Sequence, residues 1–539
     1  MPRNNAYPHF LNSPTADPWK KIGARRRAGV ATPLFSVYSS KSVGVGEFPD
    51  LDLLAKWAAS VGLSLVQLLP MNDTGFNFRP YDSESSFALE PMYLSLSELK
   101  IKNRGAFKKE IEALQKNFPI HPPRIDTRIK RAKLELLFKI FEANHPAGEK
   151  LFEAYCETNR FWLQDYALFK VLKEKFSESG WADWPEEFKN RDHAALERLE
   201  KENAGRMEFF RWLQWQSFLQ LSQAKKAAAA RGVFLMGDLP FLVSNDSADV
   251  WAQRALFKLD LVSGAPPDAC FAGGQRWGMP PYNWEEVEGK DKEWRYLQEK
   301  LKYAENFYNL YRIDHFVGLF RVWVFPRSDE KMPGVFDPVD ETVWEAHGRK
   351  ILSAMIQKNS MLPCAEDLGT VPECSPRVLK EFGIPGMEIQ RWSREYETDS
   401  SFKLPEKYRS NAVAAISTHD IAPLKVWWEE EAFAPGERDA FWKYLNLKGE
   451  PAPKADLTFI QAALLKINEA NSIFSIQLLQ DWLSLGELPG SENPDFRINF
   501  PGTVSDKNWT LCLPFSLEVM KNLPANKLIK KIVKESSRA

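Results

Sequence analysis

The sequence predicts a parallel (β/α)8 barrel, because one pattern recurs along the chain. Four short apolar runs of β-compatible residues each lead into a carboxylate, as expected of parallel strands that are covered on both faces. In a (β/α)8 barrel the carboxyl ends of the strands lie at one face, where residues from several strands converge on one pocket. The four carboxylates that follow the runs are Asp238, Asp314, Glu366 and Asp420.

The run that leads into Asp314 is the most informative of the four. It passes from apolar residues directly into Arg312, Asp314 and His315. Burying such side chains is costly unless they are paired, and a single pattern of this kind is also compatible with a structural ion pair at the end of a strand. The recurrence of carboxylates after the other runs favours a shared site instead.

The composition argues against several classes of function. The 71 Lys and Arg residues nearly balance the 72 Asp and Glu residues, so no overall field favours nucleic acid or an anionic membrane. The 5 cysteines include no Cys-x-x-Cys pair, which argues against a disulfide framework or a zinc site. The N-terminal residues lack an apolar core, and no long apolar window follows. We therefore expect a soluble, cytoplasmic protein.

The chain is expected to form one catalytic unit over residues 1–539, with two specialised segments. Residues 97–204 are rich in Lys, Glu and Arg and show helical periodicity. They predict a helical insertion beside the barrel, whose charged faces, including the basic stretch 124–133, are solvated. Residues 240–290 are rich in Gly, Pro and aromatic residues, and long irregular segments of this kind commonly cover active sites.

The remaining elements follow from local patterns. Residues 1–28 are polar and basic and are interpreted as a lead-in segment, whereas residues 49–61 predict an amphipathic helix that ends at Gly62. Residues 320–326 are interpreted as a loop at the rim of the barrel, and the tail after residue 517 as helical and basic. The predicted strands are 31–37, 64–70, 233–236, 307–313, 361–365, 386–391, 412–418 and 510–515.

Paired carboxylates at the mouth of a barrel suit the cleavage of a glycosidic bond by a retaining mechanism, in which one attacks the sugar and the other moves the proton. Arg312 precedes Asp314 by two positions on a strand, so both side chains share a face and the cation favours an ionised Asp314. Glu366 follows an apolar segment, and burial beside another carboxylate favours its protonated form. The candidates for a third carboxylate that distorts the substrate are Asp238, Asp367 and Asp420.

Histidine and aromatic side chains are candidates for contacts with a sugar. His315 and His419 each adjoin an Asp and could donate hydrogen bonds to sugar hydroxyls, although either is equally compatible with a structural role. The 19 Trp and 14 Tyr residues are numerous, and half-exposed rings stack on the apolar faces of sugars. Most of them are nevertheless expected in the core.

Six motifs carry a joint resemblance to a known family. They are GDLP (237–240), GAPPD (264–268), GQRWG (274–278), YRIDHF (311–316), AEDLG (365–369) and THD (418–420). With them, the chain from about residue 29 to residue 514 resembles 4-α-glucanotransferases of the amylomaltase or disproportionating-enzyme type, within the α-amylase clan. The helical block 97–204 contributes least to this resemblance.

The resemblance implies a reaction and a role for each site residue. Relatives transfer a maltooligosaccharide from one α-1,4-glucan to the 4-hydroxyl of another glucan or of glucose, with no cofactor and no metal. The implied catalytic residues are Asp314 as nucleophile, Glu366 as acid/base and Asp420 as transition-state stabiliser. The implied substrate-binding residues are Arg312, His315, His419 and Asp238 around the glucose at the cleavage point, and Tyr81 and Trp277 along the donor and acceptor grooves.

Two departures from the family pattern and two alternatives remain. Val317 stands where many relatives have Arg, and Ile421 and Ala422 replace a more polar pair, which puts the preferred chain length in doubt but not the chemistry. An α-1,4-glucan hydrolase would use the same carboxylates with water as the acceptor. An inactive glucan-binding protein would not need a nucleophile together with an acid. For the retaining mechanism we expect the two catalytic carboxyl groups to lie roughly 5–5.5 Å apart.

Overall fold

The computed structural model describes residues 7–120, 122–146, 148–267, 273–289, 294–329, 331–486 and 496–539. Its central feature is a sheet of eight strands, and every neighbouring pair in the sheet is parallel. In chain order the strands are β1 (Arg27–Ala31), β2 (Leu65–Gln67), β3 (Phe234–Leu239), β4 (Leu310–Ile313), β5 (Leu362–Ala365), β6 (Gly386–Ile389), β7 (Ala412–Ala415) and β8 (Phe474–Leu478).

The order of strands in the sheet follows the order in the chain, as a (β/α)8 barrel requires. From β6 the sheet runs through β7, β8, β1, β2, β3 and β4 to β5. In register, Val30 of β1 lies opposite both Gln477 of β8 and Val66 of β2. The Ala365 N–H at the end of β5 donates to the carbonyl of Pro385, just before β6, at 2.7 Å. The sheet therefore nearly closes on itself, and the predicted barrel is confirmed.

Helices connect and surround the strands, and most bury one apolar face. The predicted helix 49–61 is confirmed as Asp50–Ser60. The other helices of the connections and the termini are Pro8–Leu11, Ala16–Ile22, Ala204–Ala229, Ala248–Ala252, Trp284–Glu288, Arg295–Ala304, Trp344–Ile356, Cys374–Phe382, Leu424–Val426, Glu437–Tyr444, Leu457–Asn468, Leu479–Leu483, Leu517–Met520 and Ala525–Glu535. Within the described ranges, none is long and apolar enough to cross a bilayer.

The segment 97–204 is mainly helical, but its basic stretch is not solvated throughout. Lys130 and Lys133 are buried, and Lys130 donates to carboxylates of Asp73 and Glu90 at 2.8 Å each. The status of the segment as a separate insertion remains a prediction. Its helices are Lys108–Asn117, Ile129–Asn144, Lys150–Thr158, Arg160–Lys175, Glu186–Lys189 and His193–Glu202.

A second, antiparallel sheet is built from the segments that follow β3 and β4. Its strands, in sheet order, are Gln275–Arg276, Leu261–Ala265, Val322–Pro326 and Val335–Asp337. The interpretation of residues 320–326 as a rim loop was wrong, because the alternating β-branched and aromatic residues of that segment fit a half-buried strand. Asp268 of the GAPPD motif lies outside the described residues.

The first and last predicted strands were also wrong. β1 ends at Ala31, and Leu34–Ser36 forms a turn of 3-10 helix. The final strand is β8 at Phe474–Leu478, whereas residue Leu511 only forms an isolated bridge with Arg124. β8 carries the buried polar residues Ser475 and Gln477, and these were not expected in a buried strand. The lead-in segment 1–28 contains two short helices and the start of β1.

Candidate active site

The four predicted carboxylates lie at the carboxyl ends of four barrel strands. Asp238 is the second-last residue of β3, and Asp314 directly follows β4. Glu366 directly follows β5, and Asp420 lies on the loop after β7. Asp238, Asp314 and Glu366 form one connected group with Arg312. The sequence pattern thus predicted which side chains meet, because parallel strands of a barrel end at the same face.

Arg312 joins carboxylates from three strands. Its Nη1 donates to both oxygens of Asp238 at 2.9 Å and to Oδ1 of Asp314 at 2.8 Å, and its Nη2 lies 3.8 Å from Oε2 of Glu366. The side chain is only 9% exposed. Burial alone would lower the pKa of this guanidinium, but the charge of Asp238 and its neighbours raises it well above its usual value. Arg312 therefore stays charged and compensates the cluster.

Glu366 has the electrostatics of a group that holds its proton near neutrality. Burial raises its pKa to about 8, the negative charge of Asp314 adds to this, and Arg312 acts against it. The backbone N–H of His315 donates to Oε2 of Glu366 at 2.7 Å. That bond fixes the direction of the carboxyl group toward the end of β4.

Tyr81 connects the loop after β2 to two other predicted residues. Its hydroxyl donates to Oδ2 of Asp238 at 2.8 Å and lies 2.9 Å from Nε2 of His419. The rings of Tyr81 and His419 stack at 5.3 Å. Asp238 is fully buried, and burial raises its pKa although Arg312 opposes the shift. Tyr81, Asp238 and His419 thus form one wall of the site.

Asp420 is stabilised as an anion. Its Oδ2 lies 2.9 Å from Nε2 of His419, and its Oδ1 accepts a hydrogen bond from the Asn499 amide at 2.7 Å. Enclosure in the pocket would raise its pKa, but His419 and Asn499 together lower it to about 2. Asn499 was missed by the sequence reasoning, because it is an isolated amide outside any strand or motif.

His315 and Trp277 meet on the side of the site formed by the second sheet. Their rings pack edge to face with centroids 4.8 Å apart. His315 has a φ of 48°, which is uncommon for a residue with a side chain and which clusters at functional sites. Burial lowers the pKa of His315 to about 4, so its imidazole is neutral at pH 7 and can donate or accept one hydrogen bond.

A cavity of about 220 Å³ opens beside this group. Arg312, Glu366, His419 and Asp420 line it. Trp392, which the sequence reasoning did not single out, also lines the cavity, and 46% of its surface is exposed. In the described part of the chain, no group of three or more His, Cys, Asp or Glu side chains is arranged to hold a metal ion.

Asp367 does not join the cluster at the cavity. Its carboxylate binds Arg409 at 2.7 Å and accepts a hydrogen bond from the Met387 N–H at 2.6 Å. Of the three candidates for a third carboxylate, Asp238 and Asp420 therefore share a wall with Tyr81 and His419, whereas Asp367 is held in a separate ion pair.

Comparisons with known proteins agree with one another. A family profile described as 4-alpha-glucanotransferase matches residues 32–516. The 4-alpha-glucanotransferase of Chlamydia caviae is 36% identical over 526 residues, covering 96% of this chain and 96% of that protein, and the one of Aquifex aeolicus is 32% identical, covering 88% and 93%.

Solved structures support the fold. An amylomaltase from Streptococcus agalactiae in complex with acarbose superimposes with a TM-score of 0.81 at 24% identity, covering 96% of this chain and all (100%) of that one. The amylomaltase from Corynebacterium glutamicum gives 0.75 at 22% identity, covering 97% and 76%. The resemblance inferred from the six motifs is confirmed: this chain belongs to the 4-alpha-glucanotransferase family.

Proposed function

We propose that the chain transfers α-1,4-glucan segments by a retaining mechanism with a covalent glycosyl-enzyme intermediate on Asp314. The observation that carries the proposal is the single buried guanidinium of Arg312, which contacts Asp238 and Asp314 and lies 3.8 Å from Glu366. One cation shared in this way allows an ionised nucleophile beside a protonated acid, which is the pair that a retaining enzyme needs.

In the first half of the reaction, a carboxylate oxygen of Asp314 attacks the anomeric carbon of the donor. The bond from that carbon to the glycosidic oxygen breaks, and Glu366 gives its proton to the leaving oxygen. Glu366 holds that proton at neutral pH because burial raises its pKa to about 8. The products are a glycosyl ester on Asp314 and a shortened glucan that leaves.

In the second half, the 4-hydroxyl of an acceptor sugar attacks the same carbon. Glu366, now ionised, takes the hydroxyl proton, and the ester bond to Asp314 breaks. Asp420 is anionic because His419 and Asn499 hold its pKa near 2, so it can stabilise the positive charge that develops on the sugar ring. Two displacements at one carbon preserve the α configuration.

Transfer requires that a sugar, rather than water, reaches the intermediate. Trp277 lies against His315, the residue after Asp314, with ring centroids 4.8 Å apart, and we propose that it limits water over the ester. Trp392 on the opposite loop offers a half-exposed ring for a bound sugar. Since the related Streptococcus agalactiae amylomaltase was solved with acarbose, we expect acarbose to occupy this cavity too.

Incubation with maltotriose tests the proposal. Transfer yields a ladder of both shorter and longer sugars, whereas hydrolysis yields only shorter ones. Asp314→Asn and Glu366→Gln should each lower turnover by on the order of 10⁴-fold or more, with an unchanged circular dichroism spectrum. Asp17 has an exposed side chain on the helix Ala16–Ile22, so Asp17→Asn is the control and should retain activity. Full activity of Asp314→Asn would remove the assignment.

A further inference from the structure

The seam between β5 and β6 carries Glu366 on its edge. These two strands are the ends of the sheet order, and their backbones are joined by the hydrogen bond from Ala365 to Pro385. The backbone of Glu366 is tied toward β4 only, since its N–H donates to Ile313 at 3.0 Å and its carbonyl accepts from Phe316 at 3.1 Å. The β6 side of Glu366 therefore needs another restraint.

The next residue supplies a restraint through its side chain. Asp367 is 2% exposed at its side chain, accepts the Met387 N–H of β6 at 2.6 Å, and binds Nη1 of Arg409 at 2.7 Å. Arg409 precedes β7 and also donates to Oε1 of Glu388 at 2.8 Å and to the Met387 carbonyl at 2.6 Å. One guanidinium thus links the end of β5, the middle of β6 and the entry to β7.

The space for this carboxylate is built into β6. A Cβ atom on Gly386 would lie 2.6 Å from Oδ2 of Asp367, which is closer than real contacts allow. Any side chain at this position would displace Asp367 from Met387 and Arg409. The close approach of Asp367 therefore requires a glycine at position 386. This is a second observation, separate from the ion pair with Arg409, that Asp367 is held against β6.

We propose that the Asp367–Arg409 ion pair positions Glu366 for proton transfer by bridging the β5–β6 seam. The proposal rests on the assignment of Glu366 as the acid/base. A residue whose backbone is held on one side only can shift its carboxyl group relative to the glycosidic oxygen, and a misplacement of about 1 Å far from the chemistry can cost on the order of 100-fold in rate. Arg409 does not touch the substrate cavity and acts through Asp367.

The experiment separates loss of proton transfer from general damage. With maltotriose as donor and glucose as acceptor, both steps need Glu366. With α-maltotriosyl fluoride as donor and azide as acceptor, neither does, because fluoride leaves without a proton and azide attacks without losing one. Asp314 still forms and releases the glycosyl ester in both reactions.

We expect Arg409→Met to lower kcat with maltotriose by on the order of 100-fold, with KM nearly unchanged. Its rate of fluoride release in azide should match that of the wild type. Arg409→Lys keeps the charge and should recover part of the lost kcat. Arg394→Met is the matched control, because Arg394 also follows β6 but pairs with Glu437 at 2.6 Å, and it should leave both reactions unchanged.

The other possible results of these assays would overturn either the positioning role of Arg409 or the assignment of Glu366. Equal losses with maltotriose and with the fluoride, or an unchanged kcat, would overturn the positioning role. If Arg409→Met does not fold, Asp367→Asn removes the charge without changing the shape, and it must show the same selective loss. Glu366→Gln is the benchmark: if fluoride and azide do not restore its turnover, the acid/base assignment itself fails, independently of Arg409.

Discussion

At the scale of single residues, the protonation of Glu366 is set by a balance that the structure makes visible. Burial and the charge of Asp314 favour the proton, and Arg312 opposes it. The types and order of these residues were predictable, since Arg312 and Asp314 are two positions apart on a strand and share a face. The partner of Asp420 was not, because Asn499 comes from a segment 79 positions away without a motif of its own.

This balance predicts how activity depends on pH. Glu366 must be protonated to give its proton to the leaving oxygen of the donor, and it loses that proton as the pH rises through its pKa of about 8. We expect kcat/KM for maltotriose to be constant near pH 7 and to fall above about pH 8, tenfold per pH unit. The pH dependence of kcat/KM reports the pKa of Glu366 in the free enzyme. With α-maltotriosyl fluoride the fall should disappear, and a fall that persists with the fluoride would contradict the assignment.

At the scale of elements, the helices of residues 97–204 are tied to the barrel by buried lysines. Lys130 and Lys170 both contact Asp73, at 2.8 and 3.2 Å, on the loop that carries Tyr81. The sequence predicted the helices but assigned their lysines to solvated faces. A lysine on an amphipathic helix is usually exposed, and its carboxylate partners lie 40 and 57 positions upstream, so no local pattern identified it.

Removal of one such lysine should destabilise the protein strongly. Lys130→Met leaves Asp73 and Glu90 buried with one cation fewer, and breaking a buried pair in this way costs about 3–5 kcal/mol. Urea unfolding should show this loss. Lys139→Met, on the exposed face of the same helix, is the control and should change the free energy of unfolding by less than about 0.5 kcal/mol. Equal effects of the two substitutions would show that the buried network does not stabilise the fold.

At the scale of the whole molecule, the barrel was predicted correctly, while two of its strands were misplaced. Both strands, β1 and β8, lie side by side. β8 contains Gln477, which is buried and exchanges hydrogen bonds with the Ile416 N–H at 2.8 Å and the Ala414 carbonyl at 3.1 Å. A buried polar residue whose hydrogen bonds are satisfied breaks the apolar run by which a strand is recognised, so composition alone could not place β8.

The junction of β8 and β1 is also held by Arg538, near the end of the chain. Its side chain is fully buried and donates to the carbonyls of Asn468 at 2.6 Å, Ala470 at 2.7 Å and Ser472 at 2.8 Å, and to those of Arg27 and Ile473 at 3.2 Å. In the described part of the chain, no carboxylate oxygen forms an ion pair with Arg538 within 4.0 Å. The guanidinium therefore acts as a shared donor for backbone that leads into both strands.

Arg538→Met should consequently loosen the closure of the barrel. Five carbonyls lose a charged donor at once, and a hydrogen bond to a charged group contributes about 1.5–3 kcal/mol. We expect the free energy of unfolding in urea to fall by at least about 3 kcal/mol, while kcat at 25 °C stays unchanged because the site lies at the opposite ends of the strands. Lys527→Met, exposed on the helix Ala525–Glu535, is the control. An unchanged unfolding midpoint for Arg538→Met would mean that water replaces the guanidinium at these carbonyls, and that the closure of β8 on β1 depends on the strand ladder alone.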